Sequence, residues 1–222
     1  MEKFTRLEGV AASMPQPNID TDAVIPASYQ RTLKDDPGKG LFAGWRYDLK
    51  GNEIPEFILN REPFRKSKII VGGVNFGCGS SREFAVWALM RFGIRSVIAP
   101  SFGDIFFENS FKNGLLPIVL PEDQVQKLHQ HLGRTNDPTL VIDLDACIIE
   151  LPKGERIAFA VPPARRTALL EGVDEIGQSL RFSIQSPNLF CAQSGTQLTF
   201  LFSATSLSRI SVTLKNHCGT AT

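Results

Sequence analysis

Between Lys68 and Leu132 short β-branched runs alternate with helical segments stopped by glycine, and this alternation constrains the fold more than any other feature. Lys68–Asn75 (KIIVGGVN) is apolar and β-branched without a polar alternation, the mark of a strand buried on both faces. A Gly-rich turn, Phe76–Gly79, leads into a helix from about Ser81 to Phe92 that stops at Gly93. Arg95–Pro100 is a second strand, and Gly103–Asn113 a second helix stopped by Gly114. Leu115–Leu120 is a third strand, which Pro117 restricts to an edge or a bulge because proline brings no N–H to a ladder. Pro121–Leu132 opens with proline and acids, as helix starts do. The predicted fold class is therefore α/β, with a parallel sheet and right-handed crossovers. Thr139–Leu151 alternates apolar and polar residues like a half-exposed strand pair.

The flanks read differently. The first sixty residues are rich in Pro, Gly and Asp and hold two strand-like pieces, Arg6–Ala11 and Ala23–Pro26. They also hold a long irregular stretch, Thr32–Gly51, expected to border a site because structureless loops of that length are usually functional or disordered. Phe182–Thr222 contains no Asp or Glu, thirteen Ser or Thr, and only Arg209 and Lys215 as strong charges. Without a sustained period it is expected to be disordered or loosely packed, which divides the chain into a domain at 1–181 and a tail at 182–222.

Composition excludes several classes. An apolar fraction of 42% and a charged fraction of 21% suit a soluble globular protein. A net charge of +1 gives no global attraction to nucleic acid or an anionic membrane, so neither is an expected partner. No run approaches the roughly 18 apolar residues of a membrane span. The opening MEKFTRLEGVAASMP carries Glu2 and no long apolar run, so a secretory leader is not expected and a cytoplasmic location is. Cys78, Cys147, Cys191 and Cys218 are scattered without a C-x-x-C pair, so no metal ligand and no self-contained cluster is assigned to this chain. His129 and His131, two apart on a helix-like segment, read as solvated residues.

The chemistry concentrates at Asn75–Phe76–Gly77–Cys78–Gly79–Ser80–Ser81–Arg82–Glu83, on a strand-to-helix junction. Open α/β sheets bind ligands beyond the carboxyl ends of their strands. The glycines allow close approach, the helix start offers N–H donors and the positive end of a dipole, and Arg82 adds a planar fork matched to a carboxylate. These residues describe an anion-binding corner. Ser80-x-x-Glu83 also reads as a capping box, in which Ser80 serves the helix and Glu83 bonds back. Two adjacent serines let both readings coexist. A dinucleotide fingerprint fails for want of its third glycine and of an acid after the next strand, and no P-loop element is present. Asn18–Ile19–Asp20–Thr21–Asp22 reads as an Asx-capped turn, with its two acids also able to hold a metal or orient an arginine.

In their order these motifs resemble the small subunits of 3-isopropylmalate dehydratase, in the aconitase superfamily. The resemblance runs through Asn18–Asp22 with Ile25–Pro26, Leu41–Phe42 with Trp45–Asp48, Asn75–Glu83, Trp87–Leu89, Val97–Phe102, Lys112–Leu120 and Glu171–Gly177, covering about residues 1–181. It implies a swivelling β/β/α domain that closes over a large subunit carrying an iron–sulfur cluster. It further implies interconversion of 2- and 3-isopropylmalate by dehydration and rehydration, in leucine biosynthesis. By the family's pattern Ser80 is the base and Arg82 binds a substrate carboxylate together with Ser81 and backbone donors around Gly79. Thr21 and Asp22 line the same site. Two departures stand out: Phe84–Ala85–Val86 replaces the family's usual His-Ala-Pro, and 182–222 replaces a charged closing helix. Sibling subunits acting on homoaconitate, citramalate or dimethylmalate are the nearest alternative, with Ser28–Trp45 setting the choice, and a non-catalytic anion-binding domain is the more distant one.

Overall fold

The computed structural model describes residues 1–29, 36–152 and 154–173. The expectation for 182–222 therefore lies outside the described residues. In chain order the elements are β1 (Arg6–Met14), α1 (Thr21–Val24), α2 (Ala43–Arg46), β2 (Ile69–Gly72), α3 (Glu83–Phe92), β3 (Ser96–Ala99), α4 (Asp104–Asn113), β4 (Leu116–Val119), α5 (Glu122–Arg134), β5 (Thr139–Asp143), β6 (Ile148–Glu150), β7 (Arg156–Ala158) and α6 (Pro163–Glu171). Short 3₁₀ turns at Ala27–Tyr29, Pro37–Gly40, Ile58–Asn60 and Phe64–Lys66 fill the stretch between β1 and β2.

The strands form one seven-stranded sheet in the order β4-β3-β2-β1-β5-β6-β7. From β4 to β1 every pairing is parallel, and from β1 to β7 every pairing is antiparallel. β1 joins the two halves by dividing its length. Arg6–Val10 pairs with β5 and Ala11–Met14 with β2, so the strand passes from an antiparallel to a parallel ladder without a break.

The pleat sorts the central strands between two cores. Ile69, Val71 and Ile98 point to one face, where Val125, Leu128 and Leu132 of α5 cover them. Ile70, Val97 and Ala99 point to the other, against Ala85, Val86 and Leu89 of α3. Strands covered on both faces must be apolar at every position, as the runs in β2 and β3 are. In β5 only alternate residues, Leu140 and Ile142, are buried, the pattern of a strand with one wet face. β4 is the outermost strand, so Pro117 sits where a missing N–H is tolerated, as its sequence position required.

Three local expectations are corrected. Ala23–Pro26 is not a strand: residues 21–24 form α1, because Asp20 accepts a hydrogen bond from the Ala23 N–H at 2.6 Å and caps a helical turn. α3 begins at Glu83 rather than Ser81. His129 is not solvated. It lies half-buried on the sheet side of α5, with Nδ1 2.8 Å from Ser13 Oγ of β1. Burial pushes its imidazole below the usual histidine range, and a backbone contact at Gly72 offsets part of the shift. No helix among the described residues is long and apolar enough to cross a membrane.

Candidate active site

The loop after β2 is held as the middle of three short extended segments. Gly77 N–H donates to the Ile19 carbonyl at 2.7 Å and Thr21 N–H to the Cys78 carbonyl at 2.9 Å. On the other side Phe76 N–H donates to the Ser101 carbonyl at 3.0 Å and Gly103 N–H to the Phe76 carbonyl at 2.9 Å. Ser101 Oγ also accepts from the Asn75 N–H at 2.9 Å. Phe76, fully buried, packs edge-on against Phe102 and Phe106. Each glycine of the loop has its own reason. Gly77 (φ +73°) lies against the Phe106 ring, where a Cβ would come within 2.3 Å. Gly79 (φ +97°) has ordinary room, with its nearest neighbours at 3.5 Å, so only its backbone angle excludes a side chain.

Ser80 and Ser81 follow and are exposed. The residue at the N-cap of α3 is Arg82, which makes no side-chain capping bond, and its N–H donates to the Ser80 carbonyl at 2.8 Å. Ser80 therefore does not cap the helix. Its hydroxyl lies 3.4 Å from Thr21 Oγ1, which donates to the Ser80 carbonyl at 3.1 Å. Thr21 is 1% exposed, so it reaches Ser80 from beneath, while Ser80 faces outward. Glu83 does not bond back either: its carboxylate accepts from Asn113 at 2.8 Å. Among the described residues the N–H groups of Gly79, Ser80 and Ser81 have no acceptor. Helix starts with such free donors attract anions.

Arg82 forms an ion pair with Asp22, whose side chain is 56% exposed against 25% for the arginine. Of the two acids in 18–22, then, Asp20 caps a helix and Asp22 orients an arginine. The arrangement brings Thr21, Asp22, Gly79, Ser80, Ser81 and Arg82 into one corner. Cys78, beside it, has its thiol pushed up by burial and further by the Asp20 carboxylate, so it stays protonated at neutral pH. Among the described residues no three His, Cys, Asp or Glu side chains converge as a metal site would need.

Two clusters are silent in the sequence. Ser13 and His129 are separated by 116 residues, and no local signal joins them. Asn113 is visible in the Lys112–Leu120 motif, but reading Asn-Gly as a helix stop hides its side chain, which bonds Glu83, Trp87 and the Asn109 carbonyl. Phe84 packs on Trp87 with ring centroids 4.8 Å apart.

Residues 1–123 match the aconitase C-terminal domain, the class that a mixed sheet with this corner defines. The 3-isopropylmalate dehydratase small subunit of Paramagnetospirillum magneticum is 52% identical over 182 residues, 82% of this chain and 90% of the relative. That of Dinoroseobacter shibae is 50% identical over 194 residues, 87% of this chain and 96% of the relative. The crystal structure of 3-isopropylmalate dehydratase from Methanocaldococcus jannaschii superposes with a TM-score of 0.60 at 32% identity, covering 82% of this chain and 98% of that one. The chain belongs to the 3-isopropylmalate dehydratase small subunit family of aconitase-type hydro-lyases.

Proposed function

We propose that residues 1–181 supply the base and the carboxylate clamp for interconversion of 2- and 3-isopropylmalate, completed by a large subunit that closes over this corner. The observation that carries the reading is Ser80 itself: an outward-facing hydroxyl in front of a helix start, beside unpartnered N–H donors and an oriented arginine. A serine hydroxyl is a weak acid, so its alkoxide needs a positive setting. The start of the ten-residue α3 and the Arg82 guanidinium both lower the energy of negative charge at that point. As alkoxide, Ser80 would take the proton from the carbon next to a substrate carboxylate. The same N–H donors and Arg82 would hold the dianion that forms, before hydroxide leaves the neighbouring carbon.

Asp22 engages one Arg82 nitrogen, Nη1, and the rest of the fork stays available for substrate. Thr21, buried under Ser80, orients the serine rather than meeting substrate. An iron–sulfur cluster on the large subunit, when present, would act as the Lewis acid that helps hydroxide depart. The chemistry of this chain's donors fits that division, since they handle carboxylates and a proton and leave the hydroxyl to the partner. A cytoplasmic location accords with such a role.

The test is to co-express the chain with a large subunit of the family, reconstitute the cluster anaerobically, and assay isopropylmalate beside homoaconitate and citramalate. The complex is expected to turn over isopropylmalate, and the single chain to turn over nothing. Turnover by the purified single chain would overturn the reading.

A further inference from the structure

We propose that Asn113 is a positioning residue for the Ser80–Arg82 corner, its side-chain amide fixing the first turn of α3 from outside the helix. The inference rests on the catalytic reading of that corner for its consequence, though not for its geometry. The need arises at the N-cap. Arginine has no acceptor atom, so Arg82 cannot cap, and α3 starts without any side-chain capping bond. Both serines that could cap lie before the helix and spend no hydroxyl on its N–H groups, the Ser80 hydroxyl meeting Thr21 Oγ1 at 3.4 Å instead. A helix of ten residues is too short to hold its own first turn rigid.

Asn113, the last residue of α4, takes over that task. Its Nδ2 donates to Glu83 Oε1 at 2.8 Å and to the Asn109 carbonyl at 2.9 Å. Its Oδ1 accepts from Trp87 Nε1 at 2.8 Å. One carboxamide therefore uses both its N–H groups and its oxygen, tying the first residue of α3 and the turn above it to α4. Trp87 in turn packs on Phe84, so the fixed segment is 83–87. Glu83 directly follows Arg82 in the chain, and any shift of the first moves the second.

The other end of α4 braces the same loop. Gly103 N–H bonds the Phe76 carbonyl at 2.9 Å, and the Phe106 ring lies against Gly77. α4 thus grips the chain before and after Cys78–Arg82, while Thr21 and Asp22 hold Cys78, Ser80 and Arg82 within it. Catalytic groups are sensitive to small displacements, and roughly 1 Å of misplacement can cost on the order of 100-fold in rate.

The experiment compares Asn113→Asp, Glu83→Gln and the double variant in the full chain assembled with its large subunit. Asn113→Asp keeps the acceptor for Trp87 but sets a carboxylate against Glu83, and kcat should fall about 10- to 100-fold with KM changed much less. Glu83→Gln alone should be near wild type, because its amide oxygen still accepts from Asn113. In the double variant the amide introduced on α3 donates to the carboxylate introduced on α4, and kcat should return to within about threefold of wild type. A purely structural Asn113 would lower yield or melting temperature without this rescue of kcat. Wild-type kcat in Asn113→Asp, or a loss that Glu83→Gln fails to repair, overturns the proposal. Hydrogen exchange on the full chain reads the brace independently. Asn113→Ala should raise exchange at Ala85, whose N–H bonds the Arg82 carbonyl at 3.1 Å, about fivefold or more, the population change expected from losing a net hydrogen bond. Unchanged exchange refutes the brace even if Asn113→Asp fails to fold. If exchange responds while Ser80→Ala keeps full activity, the brace stands and the catalytic reading falls.

Discussion

Replacing Gly77 by alanine tests how the site loop is built. Its φ of +73° puts an L side chain in the left-handed region, which costs about 1 kcal/mol. The new Cβ would also meet the Phe106 ring at 2.3 Å, well inside ordinary contact. Phe106 is 2% exposed, and its ring is held by Phe76 and Phe102, so it has nowhere to retreat. Overpacking of this kind costs roughly 1–3 kcal/mol, for a total of about 2–4 kcal/mol. In a domain of this size that lowers the melting temperature by on the order of 10 °C. Gly79→Ala is the control. Its φ of +97° carries the same backbone penalty, but its nearest neighbours lie at 3.5 Å, so the loss should stay near about 1 kcal/mol. Urea unfolding of the two variants and wild type supplies both numbers. Phe106→Leu should recover part of the loss in the Gly77→Ala background while destabilising the wild type, a coupling visible in a double-mutant cycle. If Gly77→Ala were no less stable than Gly79→Ala, the close approach of Phe106 to the loop would be wrong.

Other expectations follow from the same geometry. Arg82→Lys keeps the charge but loses the planar fork, so kcat/KM of the assembled enzyme should fall about 10- to 100-fold, whereas an unchanged value would remove Arg82 from substrate binding. Asp22→Asn should raise KM several-fold with little change in unfolding midpoint, because an ion pair this exposed contributes under about 1 kcal/mol; a large loss of stability would show a different role. His129 sets a pH dependence. Its folded pKa is lowered, so the unfolded chain binds its proton first as pH falls, and stability that is full above about 6.5 declines below it. One proton gives at most about 1.4 kcal/mol per pH unit, and His129→Gln should flatten the decline between about pH 6.5 and 5; an unaltered slope would place its cause elsewhere.

The central fold is legible because it is written in local patterns. The runs at Lys68–Asn75 and Arg95–Pro100 are apolar at every position because both faces are covered, and Pro117 announces its edge. α1 is not legible in the same way, because Ala23–Pro26 is β-branched in part, while the Asp20 side chain that turns it into a helix acts across three residues. At the corner the residues that come together are readable, but the partnerships are not. Ser80 and Glu83 have the spacing of a capping box, yet both are engaged by residues distant in sequence, Ser80 by Thr21 and Glu83 by Asn113. The ion pair between Arg82 and Asp22 spans 60 residues, and the Asn18–Asp22 turn offers it only as one option beside a metal. The proposal that the corner is half of a hydro-lyase site rests on the order of motifs, since an anion-binding helix start alone is chemically general.

The most direct measurement is kcat for isopropylmalate with the Ser80→Ala chain assembled on its large subunit, with assembly checked by gel filtration. Loss of a general base should lower kcat about 100- to 10,000-fold with assembly intact, and Ser81→Ala should fall less. A Ser80→Ala complex that forms normally and turns over within about threefold of wild type would contradict the account, because the serine hydroxyl would then not be the base.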